Sequence, residues 1–299
     1  MAWAALTGRS STPGQPPAGV RSVVSSDLME DRARLLRAAS EAQARGRDIE
    51  RQLLDRYPRA WDQMDAMRDD PPMDWPEWCL LPMAAAVAIA TSGASGPLPA
   101  GRNLPIAHLA ALYAWRFARS VYVVEPGLMS RLLGQVPDAV SGPGAFTGLP
   151  EWCVYIAAAD PEWPGAGLWA HLESDANTGR PELRLLLDPT GTGDVMDLVP
   201  VPVYLDRPTL TEGLADFRAT AAASVHAGQV RTGADVRGAQ PDAATVSLAD
   251  RVDQYLSLLL YLARPEADIT NALRPSVRPV KPWRPMRETP VWLVGYADR

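Results

Sequence analysis

Apolar and polar positions divide the chain into a helical first part and a strand-rich second part. The first periodic stretch is 26–57, where Leu28, Leu35, Leu36, Ala39, Ala42, Ile49, Leu53 and Leu54 form a thin apolar stripe on an otherwise charged helix. Ser26 can cap it, and Asp27, Glu30 and Asp31 fall in its first turn, where the helix dipole favours acids. Pro58 interrupts it, and Trp61, Met64, Asp65 and Arg68 continue in a second short helix. A proline-rich connection, 69–78, leads into an alanine-rich buried helix at about 79–91. The next helix, about 104–120, places Leu109, Leu112, Tyr113, Arg116 and Phe117 on one face at i, i+3, i+4, i+7 and i+8. Val121–Val124 reads as a short strand and Pro126–Leu133 as a short helix.

After a Gly/Pro loop at 134–148 comes the stretch on which the rest leans, Leu149–Ala158. Pro150 can open a strand but cannot sit inside a central one. Trp152, Cys153, Val154, Tyr155 and Ile156 then run without a polar break, which predicts a strand buried on both faces. Leu168–Glu173, Glu182–Leu187 and Val195–Leu205, separated by Asn177–Arg180 and Asp188–Asp194 turns, complete a four-stranded antiparallel meander. A helix at 211–227 and a small-residue loop at 228–246 follow. Ser247 then caps a helix with Val252, Tyr255, Leu256, Leu259, Leu260 and Leu262 on several faces, so it must be buried; Pro265 ends it. Beyond a Pro/Arg-rich stretch, 274–288, Val291–Tyr296 reads as a last strand. The expected fold is α+β: a helical N-terminal part packed on an antiparallel meander and closed by a buried C-terminal helix. The expected organisation is a disordered tail at 1–25, a helical arm at 26–70 and an α+β core domain at 71–299.

Charge and composition narrow the function classes. The net charge is −6 over 299 residues, which argues against a broad nucleic-acid footprint while leaving room for a local basic patch. Lys281 is the only lysine among 29 basic residues, a chain-wide bias that by itself marks no site. Cys79 and Cys153 each follow Pro-Glu-Trp and lead into apolar residues, so both are expected as free, buried thiols. No signal-peptide pattern opens the sequence, and the longest apolar run, Cys79–Ala90, contains Pro82 and is too short for a bilayer. A cytoplasmic protein with no membrane contact is expected.

Candidate chemistry is sparse. His171, Glu173 and Asp175 alternate along a strand and could in principle hold a metal, but the half-covered, wet face of a sheet explains them as well and is preferred. Gly191-Thr-Gly193 lacks the residues of a phosphate loop, and Asp69, Asp70 and Asp74 sit in a solvated proline loop. Neither a metal site, a cofactor site nor a composed acid–base pair emerges, so no catalytic residue is assigned and enzymatic activity is left open with a non-enzymatic protein favoured. Arg116 is the misfit: an arginine on an apolar face must find an anion or reach water. It can pair inside the fold, with Glu151, Asp160 or Asp268, or capture a ligand carboxylate or peptide backbone. Ten tryptophans against three phenylalanines suggest aromatic walls beside it. The peptide-binding candidates are therefore Trp115, Arg116, Trp152 and Tyr155.

Several segments together resemble the second family of type V-A anti-CRISPR proteins. They are Tyr113-Ala-Trp-Arg116 with Tyr122, Leu149-Pro-Glu-Trp-Cys-Val-Tyr155, Gly167-Leu-Trp-Ala170, Tyr255–Leu262 followed by Pro265–Ile269, and Pro290–Gly295, in the family's order over roughly 80 to 295. The resemblance implies a mobile-element protein, of phage or plasmid, that keeps a type V-A CRISPR nuclease from accumulating. It would recognise the nuclease's nascent N-terminal peptide on the ribosome and bring about loss of its messenger RNA, which it meets indirectly. After Gly295 the family continues into a basic tail rich in His, Arg and Trp, whereas this sequence stops at Arg299; peptide binding without intrinsic RNA cleavage is the expectation. The alternatives are a ribonuclease or ribonuclease recruiter, and an accessory protein with an unrelated partner.

Overall fold

A computed structural model describes residues 26–71, 74–92, 105–133, 142–157, 166–175, 178–215 and 252–296. The expectations for the 1–25 tail, the loop at 228–246, the Ser247 cap and most of the 211–227 helix lie outside these residues. Four helices come first: α1 (Ser26–Arg56), α2 (Ala60–Asp69), α3 (Met83–Thr91) and α4 (Ile106–Trp115). Strand β1 (Val121–Val124) and helix α5 (Pro126–Leu133) follow, then β2 (Cys153–Ala157), β3 (Gly167–Ser174), β4 (Pro181–Asp188) and β5 (Val199–Tyr204). Helix α6 (Val252–Leu262) and strands β6 (Ile269–Asn271) and β7 (Val291–Val294) close the described chain.

The α+β fold is the one the sequence leads to, and β2 to β5 pair antiparallel in order as a meander. The sheet is larger, however: seven strands in the order β5-β4-β3-β2-β1-β7-β6. β1 pairs parallel with both β2 and β7, so the sheet is mixed rather than purely antiparallel. A parallel pair needs a long crossover, which α5 and the turn at Pro143–Ala145 supply between β1 and β2. Element ends shift for local reasons. Pro82 has an extended backbone and α3 starts after it, at Met83. α4 stops at Trp115 because Arg119 turns into the left-handed region at φ 51° while the Trp115 carbonyl accepts its N–H at 2.8 Å. At 195–205, Asp194 caps a 3₁₀ turn, accepting from the Met196 N–H at 2.8 Å, so β5 begins only at Val199. β6, three residues long, was too short to read.

Alternation along the strands splits the core into two layers. Val121, Val123, Cys153, Tyr155, Ala157, Trp169 and Leu186 face a cluster shared with α1 to α4. Tyr122, Val154, Ile156, Leu168, Ala170, Leu185 and Trp292 face the other, shared with α5 and α6. With both faces covered, the meander strands are buried almost throughout, β3 from end to end. The Leu149–Ala158 stretch indeed supplies a central strand. α1 lies close against the end of α4: a Cβ at Gly46 would meet the Trp115 ring at 2.5 Å, so only glycine permits that approach. α1 is also fastened to the β4–β5 connection, where Gln52 Nε2 donates to the Gly193 carbonyl at 2.6 Å and its Oε1 accepts from the Val195 N–H at 3.0 Å. Among the described residues no helix is long and apolar enough to cross a membrane.

Candidate functional site

The four aromatic and basic residues singled out in the sequence do not form one open surface. Arg116 lies just past the end of α4 with 7% of its surface exposed. Its Nη2 donates to Asp65 Oδ2 at 2.6 Å, and its guanidinium lies 5.0 Å from the centre of the Tyr113 ring and 5.2 Å from that of Phe117. The internal partner is thus Asp65 of α2 rather than Glu151 or Asp268, while Asp160 lies outside the described residues. Asp65 is shared further, accepting from the Tyr113 hydroxyl at 2.9 Å and pairing with Arg68 at 3.2 Å. This is a cation–π and ion-pair cluster that ties α2 to α4. Trp115 and Tyr155 are fully buried. Their rings meet edge to face at 6.0 Å, and Tyr155 stacks on Trp169 at 3.9 Å. In this conformation they offer a ligand no surface.

Trp152 leads elsewhere. Its indole Nε1 donates to the Pro282 carbonyl at 2.9 Å, its ring lies edge-on to Trp283 at 5.1 Å, and the Lys281 ammonium sits 5.3 Å from its centre. These contacts belong to a strap, residues 272–290, that joins β6 to β7. Prolines at 275, 279, 282, 285 and 290 remove backbone donors, which keeps the strap out of the sheet. It crosses the starting ends of the parallel strands and is pinned there. Met286 N–H donates to the Phe117 carbonyl at 2.8 Å, Lys281 Nζ to the Thr147 carbonyl at 2.8 Å, and Gln43 Nε2 of α1 to the Thr289 carbonyl at 3.0 Å. Burial pulls the Lys281 ammonium below the usual lysine range.

The outer side of the strap is open. Among the described residues five large apolar side chains are exposed, and four are here: Leu273 (79%), Val277, Val280 and Trp283 (61%). Five cations interleave with them, Arg274, Arg278, Lys281, Arg284 and Arg287, against Glu288 alone, in a chain that is otherwise acidic. A monomer seldom leaves such a contiguous strip uncovered unless it serves binding. Beneath the strap is a cavity of about 550 Å³ that touches Glu151, Asn271, Val277, Arg278, Met286 and Trp292. Glu151 is 2% exposed; its carboxylate accepts from Ser120 Oγ and, at 3.0 Å, from Trp292 Nε1. Burial pushes its pKa up to about 7 against those two hydrogen bonds.

A model of the anti-CRISPR type V subtype A2 family, the AcrVA2-like proteins, matches residues 122–297, more than half of the chain. The chain belongs to that family. This AcrVA2-like chain is therefore an anti-CRISPR inhibitor, a role that implies a protein partner such as a CRISPR nuclease. Its fold is similar to that in the crystal structure of AcrVA2, with a TM-score of 0.55 and 17% identity over 86% of this chain and 84% of that one. No curated protein matches it by sequence. The strap, Glu151 and Trp152 fall within the matched segment of the AcrVA2-like chain; Trp115 and Arg116 precede it.

Sequence reasoning named Trp152 and missed the strap beside it. A signal for it was present in the Pro/Arg-rich stretch: from 277 an apolar residue, a cation and then a proline recur every third position, as Val-Arg-Pro, Val-Lys-Pro and Trp-Arg-Pro, followed by Met286-Arg287. The expectation for His171 and Glu173 is corrected. Both are buried at 2%, because their sheet face lies on the helical side of the molecule, and His171 Nε2 and Glu173 Oε1 are 2.7 Å apart. Among the described residues no group of three or more His, Cys, Asp and Glu is placed to hold a metal ion.

Proposed function

We propose that this inhibitor acts by holding a segment of a type V-A CRISPR nuclease, the nascent N-terminal peptide, and that this lowers the nuclease's synthesis through loss of its messenger RNA. One observation carries the reading: an exposed apolar and basic strap, pinned to a rigid sheet, within the family-matched part of the chain. Tryptophan and arginine are favoured at binding hot spots, and a support already held in place lowers the backbone ordering cost of binding. Trp152 takes part from below, holding Pro282 and Trp283 in place. Trp115, Arg116 and Tyr155 keep the framework on which the strap is mounted.

The test is co-expression in a bacterial host of the chain with a type V-A nuclease, with the nuclease protein and its messenger RNA followed by immunoblot and quantitative amplification. Both should fall, and the RNA should persist when the first codons of the nuclease are recoded to a different peptide. A nuclease that accumulates normally but is inactive would remove the biogenesis reading. RNA that the purified chain cleaves with no ribosome present would support a ribonuclease instead.

A further inference from the structure

We propose that the strap is a docking surface for an extended, acidic protein segment, whose carboxylates are gripped by Arg284 and Arg287 and which lodges one apolar side chain in the cavity beneath. This rests on the reading of the strap as the binding site and names the chemistry of its partner.

The three-residue repeat is the starting point. In an extended proline-rich chain with three residues per turn, positions three apart share one edge. At that spacing Val277, Val280, Trp283 and Met286 make one set and Arg278, Lys281, Arg284 and Arg287 the next, with the chain bending at 283–284 and 287–288. Val277, Val280 and Trp283 are exposed, and so are Arg278, Arg284 and Arg287, while Met286 and Lys281 at the same spacing are half-buried. Arg274 is engaged by Glu288, Arg278 by the Ile269 carbonyl and Lys281 by the Thr147 carbonyl. Arg284 and Arg287 have no ion-pair partner among the described residues. Two planar guanidinium forks therefore face outward beside an apolar row. A guanidinium matches a carboxylate with two parallel hydrogen bonds.

Charge and side-chain type choose among possible occupants. The basic edge selects an acidic partner. The row beside it contains aliphatic Leu273, Val277 and Val280 with Trp283 as its one exposed ring, and aliphatic side chains do not stack on bases as an aromatic platform does. Protein is favoured over single-stranded RNA for that reason. The cavity is lined in part by Val277 and Met286 and, at about 550 Å³, has room for a large apolar side chain.

The test uses the full chain and a fluorescein-labelled peptide that alternates glutamate with leucine and phenylalanine. Fluorescence anisotropy should show binding that weakens with salt. The double variant Arg284→Glu/Arg287→Glu should bind at least about tenfold more weakly, and Arg284→Lys/Arg287→Lys should recover part of that loss. A peptide with glutamine in place of glutamate should bind weakly to the wild type. The proposal is overturned if the glutamine peptide binds as well, if the charge-reversed variant binds equally, if a labelled oligouridylate binds more tightly than the peptide, or if the strap is covered by a second copy of the chain in sedimentation. A circular-dichroism melt shared by all variants separates lost binding from lost fold. Charge-reversed variants that still suppress the nuclease in cells would sink this assignment and leave the proposed function standing; loss of both suppression and peptide binding supports it.

Discussion

Replacing Glu151 by glutamine should abolish a pH dependence that the buried carboxyl builds into the fold. Glu151 lies between Ser120 and Trp292, almost wholly excluded from water. Burial raises its pKa from the ordinary 4.5 to about 7. The folded protein then holds the proton more tightly than the unfolded chain does. Its contribution to stability is complete below about 4.5 and is lost as the pH rises through about 7. At 1.36 kcal/mol for each tenfold change, that gap corresponds to about 3 kcal/mol. Glutamine keeps the shape, an acceptor for Trp292 Nε1 and a donor for Ser120, and does not titrate. The neighbouring Cys153 thiol and Tyr122 phenol, both raised well above their usual ranges by burial, stay protonated throughout. Urea unfolding followed by tryptophan fluorescence, at a series of pH values from 4 to 8, gives the difference between variant and wild type. Glu151→Gln should gain about 3 kcal/mol on the wild type between the two ends. Parallel stability curves would show that Glu151 is ionised and compensated in the folded state, and the reasoning would fail.

Three further outcomes follow from the same geometry. His108, buried beside the Leu198 carbonyl at 3.3 Å, has its pKa lowered from 6.5 to about 4 by burial, so its contribution is present above 6.5 and lost as the pH falls through about 4; His108→Leu should flatten that part of the urea-derived stability curve. Arg116→Ala removes the hydrogen bond to Asp65 but leaves Asp65 its contacts with Arg68 and Tyr113, so a cost of about 2 kcal/mol is expected, and a melting temperature equal to wild type would mean the pair carries no stability. Cys79 and Cys153 are free and 1% exposed, so thiol labelling should find two slow groups in the native protein and two fast ones after denaturation; none under denaturing, non-reducing conditions would indicate a disulfide.

What the sequence made legible followed from uninterrupted local patterns. The run from Trp152 to Ile156 and the strand patterns after it gave β2 to β5 and their order, because consecutive strands usually pair as neighbours. The parallel pairing of β1 with β7 joins residues about 170 apart in the chain, and no local pattern encodes it. Arg116 was readable as a buried cation, but its partner was not, since Asp65 lies on a different helix and looks from sequence like any surface acid. Trp115 and Tyr155 were named for chemistry that their burial assigns to packing. The strap escaped because prolines and arginines read as an irregular connection until the sheet shows what pins it and leaves its apolar row uncovered.

The most direct measurement is photo-crosslinking from the strap in cells that are synthesising the nuclease. Trp283→p-benzoylphenylalanine places the probe on the open row, and Val87→p-benzoylphenylalanine, on the open face of α3, is the control. Crosslinks from position 283 to the N-terminal segment of the type V-A nuclease polypeptide, and none from position 87, are expected. Crosslinks from position 87 but not 283, or from neither while the nuclease is still suppressed, would contradict a partner held on the strap.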